Sequence, residues 1–340
     1  MALLSLLHRV VNLENLTSGE ASDAMLAILS GTAAPTVIAG FLIALRMKGE
    51  TADEITGLAR AMRLMAAPLD ARVAGEPLLD TCGTGGDGHH TFNISTVAAF
   101  VIAGAGVRVA KHGNRAISSK CGSADLLEGL GVTIAPGPET VSRCVREVGI
   151  GFLFAPAMHQ ATKHAQQVRV DLKLRTAFNL LGPLTNPAGA TVQVVGAPSA
   201  HAADLMAHAL AKLGLDRGFV VHGSDGLDEI TTTGETLLLE IRDGAVTRHT
   251  VTPEDFGVPR AALDDLRGGD LAVNLEIARR ILEGGRGPNR DIVVANAGAA
   301  LVAAGRATDF RSGAALAAQS LDSGAAAGKV EALAAVSKLG

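Results

Sequence analysis

The sequence predicts an α/β fold class: a small all-helical domain plus a large α/β domain whose mostly parallel central sheet is flanked by helices. Three observations predict it. Apolar residues recur at helical spacing through about residue 67. From about residue 77, short strand-like runs alternate with helix-length segments, the pattern of a parallel sheet covered by helices. One long amphipathic stretch, Ala157 to about Asn179, interrupts that alternation. At 340 residues the chain has the length for two domains.

The helical segment reads element by element. Leu3, Leu6, Leu7 and Val10 line one helix face, and Thr17 with Glu20 has the form of a capping box opening a helix that closes near Gly31. Pro35 starts the next, with Ile38, Phe41, Leu42 and Leu45 as its stripe and Gly49 as its stop. Thr51 and Glu54 then open a helix that runs to about Ala66. Four short helices have little core of their own, so the stripes pack either on the rest of the chain or on a partner subunit. Ala67 to Pro77 is a connector.

Beyond it the expected strands are Leu78–Cys82, Val107–Ala110, Val132–Ala135, Gly151–Phe154, Val192–Gly196 and Gly218–His222. Helices are expected over Val97–Gly104, Glu139–Val148 and Ala202–Leu213. The stretch from Ala157, followed by Leu-Leu-Gly-Pro-Leu-Thr-Asn-Pro at 180–187, is expected to be helical and to rejoin the N-terminal helices. The domains are then discontinuous: residues 1–67 with about 157–187, and about 77–156 with 188–340.

Composition narrows the function classes. A formal net charge of -4 argues against a general nucleic-acid binder, which carries a basic face. No apolar run reaches the roughly 18 residues of a membrane span, and the apolar start lacks the charge order and cleavage site of a signal peptide. Three cysteines, Cys82, Cys121 and Cys144, show no metal-ligand spacing and are an odd number, which predicts reduced thiols in a cytoplasm. Tyr and Trp are absent, so the core is aliphatic.

Four segments carry chemistry, each just after an expected strand, where ligands bind in parallel sheets. The first, Gly83-Thr-Gly-Gly-Asp-Gly at 83–88, is a glycine loop whose backbone N–H groups can crowd round an anion. It matches the dinucleotide fingerprint only formally, because the helix starts too late and residue 108 is Arg where an acid is needed; no Gly-Lys-Ser/Thr follows either. Asp87 would repel a bare phosphate, so a cation or a sugar hydroxyl must lie between them. A merely tight turn is the alternative. Asn93-Ile-Ser-Thr places more hydroxyl and amide groups at a helix start than capping needs, and Ser95 has the oxygen of a Mg²⁺ ligand.

Lys111-His-Gly-Asn-Arg at 111–115 offers two cations, an imidazole and an amide to an oxygen-rich substrate, with Ser118, Ser119 and Lys120 extending the polar rim. Asp228-Glu229 pairs two carboxylates on a loop, the usual way to hold Mg²⁺ beside a phosphate. Solvated turns would explain either segment alone. His89, His90, His112, His159 and His164 lack zinc-site spacing; His112 and His159 are pocket candidates because each adjoins another motif.

Together, Gly-Thr-Gly-Gly-Asp (83–87), Asn-Ile-Ser-Thr (93–96), Lys-His-Gly-Asn-Arg (111–115), Arg-Thr-Ala-Phe-Asn-Leu-Leu-Gly-Pro-Leu-Thr-Asn-Pro (175–187) and Asp-Gly-Leu-Asp-Glu (225–229) resemble the anthranilate phosphoribosyltransferase family, in order and spacing, across nearly the whole chain. The resemblance implies the fold shared with pyrimidine nucleoside phosphorylases, dimerisation through the helical part, and Mg²⁺-dependent transfer of phosphoribosyl to anthranilate in tryptophan biosynthesis. It implies that Gly83, Gly85, Gly86, Asp87, Thr91, Asn93, Ser95, Thr96, Lys111 and Ser119 bind phosphoribosyl pyrophosphate. Gly83, His112, Asn114, His159 and Arg169 are implied around anthranilate, and Ser95, Asp228 and Glu229 around Mg²⁺. Electrostatic stabilisation of the leaving pyrophosphate by Lys111 and the metal bound to Asp228 and Glu229 is expected to carry the rate, with no acid–base residue. The family commonly has Pro where Gln160 stands, Ser at Cys121 and Ser-Pro at Thr231-Thr232. A nucleoside phosphorylase and a non-catalytic nucleic-acid-binding relative are the alternatives.

Overall fold

The computed structural model describes residues 3–85, 88–116 and 120–339. Four helices come first: α1 (Leu3–Val11), α2 (Ser18–Leu29), α3 (Pro35–Lys48) and α4 (Ala52–Leu64). Their boundaries are set by local chemistry. Thr17 and Thr51 each form a reciprocal capping box with the Glu three residues on, Pro35 occupies the first turn of α3, and Gly49 ends it. The stripes Leu3, Leu6, Val10 and Ile38, Phe41, Leu42, Leu45 are buried within the chain itself. The apolar residues left exposed are others, including Leu4, Val11, Leu13 and Met47.

Among the described residues seven strands follow in one sheet: β1 (Leu78–Gly83), β2 (Arg108–Gly113), β3 (Ile150–Phe154), β4 (Val192–Gly196), β5 (Arg217–Gly223), β6 (Thr236–Arg242) and β7 (Ala245–Val251), in the order β3-β2-β1-β4-β5-β6-β7. The first five are parallel and β6 and β7 antiparallel. Chain order therefore runs outward from β1 on one side and from β4 on the other, which makes the β1/β4 boundary the topological switch point where a ligand crevice opens.

Side-chain alternation assigns the two faces. Leu79, Val109, Val194 and Phe219 pack under α5 (Ile94–Gly104) and the C-terminal helices Pro288–Ala303, Phe310–Asp322 and Ala325–Val336. Val195, Val220, Leu239 and Ile241 face the other way, where the helix Ala200–Lys212 and the N-terminal bundle cover them.

Three elements differ from expectation. Val132–Ala135 is not a strand: Val132 and Ile134 are buried, but the Thr133 N–H is taken by Ser337 Oγ at 3.0 Å and Pro136 has no N–H for a ladder. The stretch from Ala157 is not one helix but Ala155–Met158, a 3₁₀ turn, Lys163–Leu172 and Phe178–Leu181, broken where Lys173 takes a left-handed conformation at φ 50°. Its Ala165 and Val168 share one apolar core with the first four helices. No expectation covers β6 and β7, a two-residue hairpin turning at Asp243-Gly244.

Glu54 ties the bundle together. Fully buried, it accepts from the Leu16 N–H at 2.9 Å, the Thr51 N–H at 2.8 Å and Lys48 Nζ at 2.9 Å, and the Lys48 side chain is only 4% exposed. Glu54→Ala leaves two N–H groups without acceptors and removes the only carboxylate among the described residues paired with the Lys48 ammonium, which keeps Asn15 Oδ1 and Gly49 O, so urea unfolding is expected to show a loss of about 3 kcal/mol. A loss under about 0.5 kcal/mol would contradict this reading.

Candidate active site

Asp228 sits on the loop after β5, packed against the ends of β1 and β4. A Cβ at Gly83 would strike its carboxylate and one at Gly196 its carbonyl, so neither strand end tolerates a side chain. The Gly85 N–H donates to Asp228 Oδ2 at 2.8 Å, and Thr84 Oγ1 lies 3.5 Å away. The glycine loop and the acidic loop are thus one structure. Residues the sequence reading assigned no role hold the acidic loop: Asp225 accepts from Thr231 Oγ1 at 2.6 Å and Thr233 Oγ1 at 2.7 Å. Asn296 pairs with both the N–H and the C=O of Ile230 at 2.9 Å.

Lys111, 3% exposed, donates to Thr81 O at 2.6 Å and to Ser95 Oγ at 3.3 Å, in the first turn of α5. Burial pulls its ammonium below the ordinary range, opposed first by Asp80 and then by Cys82 and Glu229. Lys111 and Ser95 therefore meet from β2 and α5, with Glu229 near enough to act on the Lys111 charge. Thr96 is buried beneath them, and Thr91 pairs with Arg267 in an isolated bridge. Gly86, Asp87 and Ser119, also expected here, lie outside the described residues, as does Ser118.

Asn93 behaves differently from a free ligand group. It does not cap α5; its Oδ1 accepts from Asn274 Nδ2 at 3.0 Å and its Nδ2 donates to Cys121 O at 3.1 Å. Arg115 is likewise engaged, its guanidinium shared by Asp125 and Glu128, which push it further up its range. Asn114 is exposed, its Oδ1 accepting from the Arg115 N–H at 2.8 Å.

His112 follows Lys111 on β2 and so points to the opposite face. Its Nδ1 lies 3.1 Å from Gly182 O, which fixes that nitrogen as the donor, and its ring centroid is 5.1 Å from that of His159. Burial, with His159 alongside, pushes His112 down to about 3, and burial pushes His159 down to about 4. Both rings are neutral near pH 7, and the Nε2 of each is buried with no protein partner. Arg169, on the helix Lys163–Leu172, lies with Cζ 5.0 Å from the Phe178 ring centroid. Burial lowers its pKa, and no carboxylate within ion-pair distance is present among the described residues. Beside Thr84, a cavity of 360 Å³ lined by Arg46, Arg175 and the start of the helix Ala200–Lys212 opens next to the glycine loop.

The chain matches the models of the glycosyl transferase family, helical bundle domain, over residues 4–66 and of its a/b domain over residues 75–327. It is 65% identical to the anthranilate phosphoribosyltransferase of Solibacter usitatus over 98% of each chain, and 54% identical to that of Moorella thermoacetica over 96% of each. The chain belongs to the anthranilate phosphoribosyltransferase family. Among solved structures, the anthranilate phosphoribosyltransferase of Thermus thermophilus superposes with a TM-score of 0.92 at 46% identity, covering 98% of this chain and 99% of that one. The Saccharomyces cerevisiae anthranilate phosphoribosyltransferase in complex with PRPP and Mg superposes at 0.90 with 28% identity, over 99% and 98% of the two chains. Of the family motifs, Gly83 packs against Asp228, Lys111 reaches Ser95, and His112 adjoins His159.

The neutral histidines make stability fall in acid. Unfolded, each titrates near 6.5; folded, it resists protonation down to about 3 for His112 and about 4 for His159, so stability is full above pH 6.5 and is lost as pH falls towards those values. Each ring contributes a slope of about 1.4 kcal/mol per pH unit in that window. Urea unfolding of His112→Phe between pH 6 and 4.5 is expected to be less steep in pH than the wild type by about that amount. Parallel curves would show that the ring protonates in the folded state.

Proposed function

We propose that this chain transfers the phosphoribosyl group of 5-phosphoribosyl 1-pyrophosphate to the amine of anthranilate, releasing pyrophosphate, as a step of tryptophan biosynthesis. One observation carries the residue assignment: successive residues of β2 present a buried cation and a neutral imidazole to opposite sides of one strand end. Lys111, with Ser95, Thr96, Thr91, Asn93 and the glycine loop, takes the phosphoribosyl pyrophosphate side. His112, His159, Asn114 and Arg169 take anthranilate, Arg169 as the cation for its carboxylate and the Nε2 lone pairs as acceptors facing the amine side.

Asp228 and Glu229 with Ser95 supply hard oxygen donors that fit Mg²⁺, and no group of three or more His, Cys, Asp or Glu side chains able to hold a metal occurs among the described residues. When bound there, Mg²⁺ neutralises charge on the leaving pyrophosphate. Lys111 adds a fixed positive charge on the same side and needs no reorientation as the bond breaks. The amine is neutral, so no side chain is required to remove a proton before attack. Neutral His112 and His159 leave the pocket without a positive charge that would compete with Arg169 for the carboxylate.

The exposed Leu4, Val11, Leu13 and Met47 of the helical part support a homodimer formed there. No helix among the described residues is long and apolar enough to cross a membrane. The reduced thiols Cys82, Cys121 and Cys144 support a reducing, cytoplasmic setting.

Loss of anthranilate fluorescence on mixing with phosphoribosyl pyrophosphate and Mg²⁺ tests the activity; folded protein that leaves anthranilate unconsumed overturns it. Arg169→Ala is expected to raise the KM for anthranilate at least about tenfold, since truncating a buried charge partner costs roughly 2–5 kcal/mol. An unchanged KM removes Arg169 from the pocket. The double substitution Asp228→Asn with Glu229→Gln is expected to lower kcat and flatten the Mg²⁺ titration, and a wild-type titration would overturn the metal assignment.

A further inference from the structure

β1 and β2 form a fork just beneath the site. Their parallel pairing covers Leu78–Arg108 and Leu79–Val109 and then stops, although β1 stays paired with β4 through Gly83 and β2 with β3 through Gly113. A continued ladder would have used the C=O of Thr81, the C=O of Ala110 and the N–H of His112. Each is occupied by a side chain instead. Lys111 Nζ donates to Thr81 O at 2.6 Å, Asn186 Nδ2 donates to Ala110 O at 2.8 Å, and the His112 N–H donates to Asp80 Oδ1 at 3.1 Å.

Asp80 is the centre of this arrangement. It is fully buried on β1, and its Oδ2 accepts from Asn186 Nδ2 at 2.8 Å, with Cys82 Sγ at 3.7 Å. Burial raises its carboxyl above the ordinary range, opposed first by the Lys111 charge and then by the three donors Asn186, the His112 N–H and Cys82, which suit a carboxylate. Its negative charge lies beside the buried ammonium of Lys111, and its hydrogen bond fixes the backbone of the residue that carries the pocket imidazole.

We propose that Asp80 is a positioning residue for both substrates: seated in the fork between β1 and β2, it holds the His112 backbone and, with Asn186, the parting of the strands that leaves Thr81 O to Lys111, so that successive residues of β2 serve opposite sides of the reaction. The substrate assignment rests on the transferase reading above; the fork itself does not. Asn186 acts with it as the neutral member of the pair.

The test compares Asp80→Asn, which removes the charge at nearly constant shape, with Asn186→Ala, which removes the bridge and keeps the charge. Both lose a hydrogen bond of the fork, so the KM values for anthranilate and for phosphoribosyl pyrophosphate should rise several-fold in each, with kcat changed less. Wild-type KM values in soluble Asp80→Asn overturn the proposal.

Amide hydrogen exchange at Ala110–Gly113, read without substrate, separates this inference from the transferase reading. It should quicken at least about tenfold at His112 in Asp80→Asn, or in Asn186→Ala if the former does not fold. Unchanged exchange there overturns the fork even if the enzyme is active, whereas inactive wild-type protein with the expected exchange overturns only the transferase reading.

Discussion

The seat of Asp228 over the ends of β1 and β4 is the constraint on which the site depends. A switch point in an open parallel sheet leaves a crevice, and here the crevice is narrowed by backbone rather than by side chains, because Gly83 and Gly196 leave no room for a Cβ beneath the acidic loop. The hydrogen bond from the Gly85 N–H to Asp228 then couples an anion-binding loop to a carboxylate at 2.8 Å. The packing therefore sets the glycine loop and the acidic loop in one fixed arrangement, and the proposed diphosphate and Mg²⁺ sites rest on it.

Around that seat, strand parity divides the labour. Lys111 points towards α5 and Ser95, whereas His112 points towards the chain that returns to the helical bundle, where His159, Gly182 and Arg169 lie. Two reactants of unlike chemistry can then meet over one strand end without sharing side chains. On the proposed assignment the phosphoribosyl side takes the Lys111 cation, and the other side takes the two neutral imidazoles, which suits an aromatic acid bearing an uncharged amine.

Sequence reading reached the elements whose signals are local. The boxes at Thr17 and Thr51, the Pro35 start and the loops at strand ends are all written within a few residues, and the structure has each of them. It failed where partners are distant. The Asn93 amide is held by Asn274, 181 residues away, and Asn186 meets Asp80 across 106 residues, so neither contact has a period or spacing to reveal it. Val132–Ala135 alternates like a strand because its apolar residues are buried, but the Thr133 N–H is satisfied by Ser337, just past the end of the last helix. Asp243-Gly244 was a legible hairpin signal, masked by the charges of Glu240, Arg242 and Arg248 around it.

The most direct measurement of the central claim is a crystal structure with phosphoribosyl pyrophosphate and Mn²⁺ in place of Mg²⁺, read by anomalous scattering. The account predicts a peak in coordinating contact with Asp228 or Glu229 and the diphosphate over the Gly83–Gly85 backbone on the Lys111 side. A peak remote from both carboxylates, or the diphosphate in the cavity between Arg46 and Arg175, would contradict it.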